Sequence, residues 1–194
     1  FNVGMDGTLT VVIGDATGHG MRAGTMVTSV KSLFNSYAAN PDIIFTFREM
    51  TRCIKQMQFQ SLAMCMTMLK IQNNNLFMSA AGMPPVYLFR SKRKIIEEHL
   101  MEGMPLGTMD NFPYELKEVE LFSGDTILLM SDGFPELRNQ HNEMLGYKRA
   151  RNSFEEVAEK EPERIITYLK DVGSRWTNDK EPDDDVTFVV IKVK

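Results

Sequence analysis

Three aspartates in this chain share one local setting, and carboxylates so placed can hold a metal. Asp15 closes the apolar, β-branched run Thr8-Leu9-Thr10-Val11-Val12-Ile13-Gly14 and is followed by Ala16-Thr17-Gly18-His19-Gly20. Asp132 comes just after Thr126-Ile127-Leu128-Leu129-Met130 and precedes Gly133. Asp184, inside Asp183-Asp184-Asp185, leads into the apolar run Val186 to Val193. Each acid therefore stands at an end of a strand-like segment, beside glycine or another acid. If those strands are neighbours, the carboxylates converge at one sheet edge. Like charges raise one another's pKa and resist joint ionisation, and a divalent cation removes the conflict. Oxygen-only ligands suit hard ions such as Mg²⁺ or Mn²⁺ rather than zinc. Two such ions about 3.5–4 Å apart can bind a phosphate and activate a shared water.

A lone Asp at a strand end is ordinarily a turn former or helix cap. Asp125 in Ser123-Gly124-Asp125 is read that way, and the acidic triplet after Pro182 has the same plain reading open to it. The repeated context, not any one residue, carries the metal reading. His19 sits between Gly18 and Gly20 and is read as holding the glycine turn by hydrogen bonds rather than as a general acid. His99 and His141 have no partners by spacing. The chain has no Gly-x-Ser-x-Gly elbow, no Walker loop and no cysteine-centred nucleophile.

The elements that must position these acids follow from patterning. Met5-Asp6-Gly7 is a turn, so Phe1–Val3 ends a strand paired with the one that carries Asp15. Met21–Ala39 has helical composition, with Val27, Val30, Phe34 and Tyr37 near 3.6 spacing. Asn40-Pro41-Asp42 stops that helix and starts another over 43–58. Strands are expected at 63–72 and 76–81, joined by Asn73-Asn74-Asn75, and at 86–89 and 94–99 as a second hairpin. Tyr114–Leu121 and Asp125–Met130 read as further strands, 142–151 and 163–176 as helices, and 185–193 as the last strand. Strand clusters and helix pairs in separate blocks predict one α+β domain over 1–194.

Composition excludes several roles. A net charge of −4, from 22 basic and 26 acidic residues, provides no footprint for nucleic acid. The one basic cluster, Arg90-Ser91-Lys92-Arg93-Lys94, is read as a solvated hairpin tip. Cys53 and Cys65 lack metal or disulfide spacing and suit a reducing, cytoplasmic setting. No run approaches the ~18 apolar residues of a membrane span. Fifteen Met residues are spread through strands and helices as core filler.

The same residues carry a family resemblance. Gly14-Asp15-Ala16-Thr17-Gly18-His19-Gly20 resembles the G-D-[VA]-[ST]-G-H-G motif of SpoIIE/RsbU-type phosphatases, the bacterial branch of the metal-dependent protein phosphatases (PPM family). Ala80-Ala81-Gly82-Met83-Pro84-Pro85 resembles its A-G-x-x-P segment, and Gly103-Met104-Pro105-Leu106-Gly107 its G-x-P-L-G loop. Ser131-Asp132-Gly133-Phe134-Pro135-Glu136 is similar to S-D-G-[VLF]-x-E, and Asp184-Asp185-Val186-Thr187 to D-D-[IV]-T. Five motifs in the right order cover nearly the whole chain. The resemblance implies an αββα sandwich of two antiparallel sheets flanked by helices. It also implies Mn²⁺- or Mg²⁺-dependent hydrolysis of phosphoserine or phosphothreonine. Asp15 would bridge two metals with the Ala16 carbonyl as a further ligand. Asp132 and Asp184 would complete one metal site, with Asp185 behind them or as a weak extra ligand. The implied partners are a phosphorylated protein, usually an anti-sigma-factor antagonist, an upstream sensor or receiver domain, and a second copy of the chain.

Two departures stand out. The family has an acidic G-G-D-x-x-D-type motif ahead of the first strand. This sequence begins at Phe1 without it, so the expectation is a domain short of that segment, binding one metal poorly and weakly active or inactive. Met83 stands where the branch often has His, which implies a different substrate-facing surface. These departures motivate the alternative of a non-catalytic, partner-binding or dimerising signalling module, with the helices over 21–58 as its relay. A metal-dependent nuclease is disfavoured by the charge balance.

Overall fold

The computed structural model describes residues 1–18, 20–58 and 62–194. The strands and helices run in the order β1 (Asn2–Val3), β2 (Leu9–Ala16), α1 (Met21–Tyr37), α2 (Ile43–Gln56), β3 (Met64–Gln72), β4 (Asn75–Ala81) and β5 (Val86–Arg90). Then come β6 (Ile95–His99), β7 (Lys117–Glu120), β8 (Thr126–Met130), α3 (Tyr147–Val157), α4 (Pro162–Thr177) and β9 (Phe188–Lys192). No helix among the described residues is long and apolar enough to cross a membrane. The chain divides into two units, residues 1–83 with 101–121 and residues 84–100 with 122–194.

In the first unit five antiparallel strands lie in the order β1-β2-β3-β4-β7. The β3–β4 hairpin closes on Asn73 and Asn74, at φ 49° and 66°, a left-handed pair that Asn tolerates. Asn75, expected in the turn, instead opens β4 opposite Gln72. Side chains alternate along a strand, so Met64, Met66 and Met68 share one face of β3 and pack with the helices. Helix α1 presents Met26, Val30 and Phe34 to that core, whereas Val27 is exposed. The buried stripe is thus rotated from the one the spacing suggested. Helix α2 begins at Asp42, whose carboxylate accepts the Phe45 N–H at 2.9 Å, and buries Ile43, Phe47, Met50 and Ile54.

The second unit is a four-stranded antiparallel sheet, β6-β5-β8-β9, with α3 and α4. Strand β8 is central and all five of its residues are buried. Tyr87, Leu128, Met130, Phe134, Phe154 and Leu169 belong to one core cluster. The helix expected over 142–151 starts later, at Tyr147. The cause is local: Asn139 Oδ1 accepts the N–H groups of His141 and Glu143, both at 2.9 Å, and Asn142 takes φ 62°. A side chain satisfying backbone donors holds this stretch in a turn against its helical propensity. The basic hairpin tip is solvated at Lys92, Arg93 and Lys94, all exposed, whereas Arg90, the last residue of β5, is drawn in to Glu97 and Asp125.

Candidate metal centre

Asp15 lies near the end of β2, half-buried, opposite Cys65 of β3. Its strand comes unusually close to β3 at Gly14, where a Cβ would stand 2.8 Å from the Cys65 carbonyl oxygen. The loop beyond is pinned by Thr17, whose N–H and hydroxyl both donate to the Ala63 carbonyl at 3.0 and 3.2 Å. The Ala63 N–H returns a bond to the Thr17 hydroxyl at 2.8 Å. Ala16 is buried and pairs with Met64. Met64 in turn exchanges both backbone bonds with Leu106, at 3.0 and 2.8 Å, so the Gly103–Gly107 loop braces the same strand start. His19 lies outside the described residues.

In the second unit, Asp132 and Asp184 are brought together. Each offers a carboxylate oxygen within 4.8 Å of the other. The agent is Ser131. Its N–H donates to the Thr187 carbonyl at 3.1 Å, its hydroxyl donates to the Asp185 carbonyl at 2.9 Å, and the Thr187 N–H donates to that hydroxyl at 3.0 Å. These bonds stitch the segment after β8 to the segment before β9, so the acid following Ser131 must lie beside the acid preceding Asp185. The approach is close enough that a Cβ on Gly133 would collide with the Asp185 carbonyl oxygen. Asp185 meets the pair through its main chain, its N–H donating to Asp184 Oδ1 at 2.8 Å. Asp184 does not run straight into a strand as the sequence suggested; residues 185–187 intervene before β9.

The surroundings are acidic. Among the described residues neither Asp132 nor Asp184 has a Lys, Arg or His within ion-pair distance. A cavity of about 100 Å³ opens beside them, lined by Gly133, Glu136, Arg138, Lys180 and Asp184 among others. Tyr147 stands nearby at the start of α3. Burial, and then the charges of Asp132 and Glu136, push its phenol above the ordinary range. Two carboxylates held this close without a cation make an oxygen-only donor set that fits a hard divalent ion.

Sequence reasoning missed Ser131 and Thr187 as organisers of the site. The signal was present, a hydroxyl residue next to Asp132 and another three positions after Asp184, at the facing ends of two apolar strands. Met83, which stands where the branch often has His, is buried.

Residues 5–194 match the family model of stage II sporulation protein E (SpoIIE). The chain belongs to the SpoIIE family. Among curated proteins, none matches it. Of solved structures, the SiaA-PP2C domain of Pseudomonas aeruginosa is 17% identical with a TM-score of 0.82, over 96% of this chain and 80% of that one. The RsbU and RsbW domains of a Mycobacterium tuberculosis protein are 23% identical with a TM-score of 0.78, over 95% of this chain and 51% of that one. The PP2C phosphatase domain of SpoIIE from Bacillus subtilis, with a fragment of its regulatory domain, is 18% identical with a TM-score of 0.78, over 96% and 55%. This SpoIIE-family chain therefore spans about half the length of the latter two. At these identities the likeness is one of fold. The fold is the α+β PP2C fold, built here from two antiparallel sheets and four helices among the described residues. SpoIIE of Bacillus subtilis itself carries a PP2C phosphatase domain.

Proposed function

We propose that residues 1–194 act as one metal-dependent protein serine/threonine phosphatase domain in which Asp15, Asp132 and Asp184 hold Mn²⁺ or Mg²⁺. The observation that carries this reading is the Asp132–Asp184 pair, two carboxylates within 4.8 Å with no basic partner among the described residues. Asp15 joins them as the acid of the first motif, with the Ala16 carbonyl beside it and Asp185 supporting Asp184. A divalent ion bound there supplies charge neutralisation for a phosphoryl group and lowers the pKa of a water at neutral pH. The chain's own contribution is orientation. Ser131 and the Asp185 N–H fix the two carboxylates before any ligand arrives, so little reorganisation is left for the reaction itself. Gly133 keeps the backbone at the site free of side chain.

The substrate in this reading is a phosphoserine or phosphothreonine on a signalling protein, of the anti-sigma-factor antagonist kind. The setting is the cytoplasm, under an upstream sensor or receiver domain, with a homodimer as a further partner state. The alternative, motivated by the departures from the family pattern, is a catalytically inactive module that binds a partner or dimerises. Hydrolysis of a phosphoserine peptide, followed with and without Mn²⁺ in the wild type and Asp132→Asn, tests the proposal. Turnover that requires Mn²⁺ and vanishes in the variant supports it; equal turnover in both proteins refutes it.

A further inference from the structure

A cavity of about 860 Å³ opens in the first unit. We propose that it binds a small molecule carrying an anionic head, carboxylate or phosphate, on an apolar body, with Lys70 holding the head. The argument begins with alternation along β3. Met64, Met66 and Met68 face the helical core, and period two places Lys70 next on that face. An apolar residue is expected there. Instead a lysine only 3% exposed lines the cavity.

Its ammonium donates to the Thr10 hydroxyl at 2.8 Å and to the Ala38 carbonyl at 2.7 Å, both neutral acceptors. An ammonium has three N–H donors. Among the described residues the third has no acceptor, and no carboxylate lies within ion-pair distance. Buried charge without a counter-ion is costly. Burial accordingly pulls the Lys70 ammonium below the ordinary lysine range, with the charge of Asp6 opposing.

The acids that line the cavity are already engaged. Asp6 is exposed and takes the Thr8 N–H and hydroxyl at 3.0 and 2.9 Å and the Gln72 amide at 3.2 Å. Asp42 caps α2. Much of the remaining wall is apolar, with Ile44, Phe77 and Leu116 prominent. Small-molecule sites run to roughly 300–1,000 Å³ and combine such walls with a few convergent polar groups. Thr10, the cross-strand partner of Lys70, precedes Asp15 by five residues on β2, roughly 17 Å at the usual strand rise. The site is therefore separate from Asp15, and the inference stands whether or not the chain is an active phosphatase.

The probes are octanoate and octyl phosphate, titrated separately by calorimetry, with 1-octanol as the uncharged control. Either anion should bind saturably, and Lys70→Met should weaken it roughly tenfold or more, the worth of a hydrogen bond to a charged group. Leu116→Trp alters only a half-exposed wall residue and should occlude the cavity while a thermal melt shows the fold intact. Failure of both anions to bind, undiminished binding in both variants, or 1-octanol binding as tightly as the anions would overturn the proposal.

Discussion

The two ends of β8 carry the same residue type in opposite electrostatic circumstances. Asp125, just before the strand, is 1% exposed and fully engaged. Arg90 Nη1 donates to it at 2.9 Å, and the backbone N–H groups of Ser91 and Phe122 donate at 2.9 and 3.1 Å. Asp132, just after the strand, faces a second carboxylate instead. Among the described residues the fold supplies the cation at one end and omits it at the other. An acid with a built-in counter-ion is a structural part; two acids without one are a place for an external cation. Strand-end position and a neighbouring glycine do not separate the two cases, since Gly124 flanks one acid and Gly133 the other.

The sharpest way to break the comparison is to neutralise both acids in turn. Asp132→Asn should cost roughly a thousandfold or more in Mn²⁺-dependent phosphopeptide turnover, because the stabilisation a metal gives a phosphoryl transition state is several kcal/mol. Its melting temperature without metal should stay at or above that of wild type. Asp125→Ala should do the reverse. Removing one partner of a buried ion pair costs about 3–5 kcal/mol. In a domain of this size that is a fall in melting temperature of roughly 6–20 °C, with turnover per folded molecule retained. If Asp125→Ala instead abolished turnover at full stability, the division of roles along β8 would be wrong.

Metal binding sharpens the same contrast. Mn²⁺ at a hundred times its dissociation constant should stabilise the wild type by about 2.7 kcal/mol. The increment should disappear in Asp184→Asn and persist in Asp125→Ala, as read from paired melts with Mn²⁺ and with chelator. Ser131→Ala should fall between the two. The carboxylates remain but lose the hydroxyl that joins residue 131 to residues 185 and 187, and metal affinity should drop roughly 10–100-fold. Unchanged affinity would mean that the backbone bonds alone hold the pair.

Much of this was legible in the residues. Alternation and turn chemistry gave the β3–β4 hairpin, with Asn73 and Asn74 supplying the positive φ, and the apolar runs gave β2, β8 and β9. The three acids proposed to hold metal stood out because similar contexts recurred along the chain. The rest depended on partners distant in sequence. Asp125 read as a simple turn because Arg90, 35 residues earlier, is brought to it only by the β5–β8 pairing. Ser131 read as a motif letter because its acceptor is Asp185, 54 positions on. The α3 boundary was misplaced because Asn139 spends its side chain on two backbone N–H groups, which composition does not reveal. Lys70 broke the alternation of β3 in plain sight, and period two alone would have marked it.

Lys70 is a third case between the two aspartates: buried like Asp125, but without a full set of partners among the described residues. That incompleteness gives the smallest of the expected effects, in the pH dependence of stability. Its pKa in the fold lies below the ordinary value of 10.5. Between the folded and unfolded values the unfolded chain binds more protons, so stability rises with pH across that window. Below the folded pKa the cost of the buried charge is present in full. Lysines and tyrosines of an unfolded chain ionise near the same pH, so the quantity to follow is the difference between wild type and Lys70→Met. Thr10 also donates to the Ala38 carbonyl at 3.2 Å, which keeps that acceptor satisfied when the ammonium is removed. Melts from neutral pH towards 10.5 should show wild type gaining on the variant as pH rises. Parallel curves would mean that Lys70 is neutralised by a partner as Asp125 is, and the cavity beside it would lose its claim on an anion.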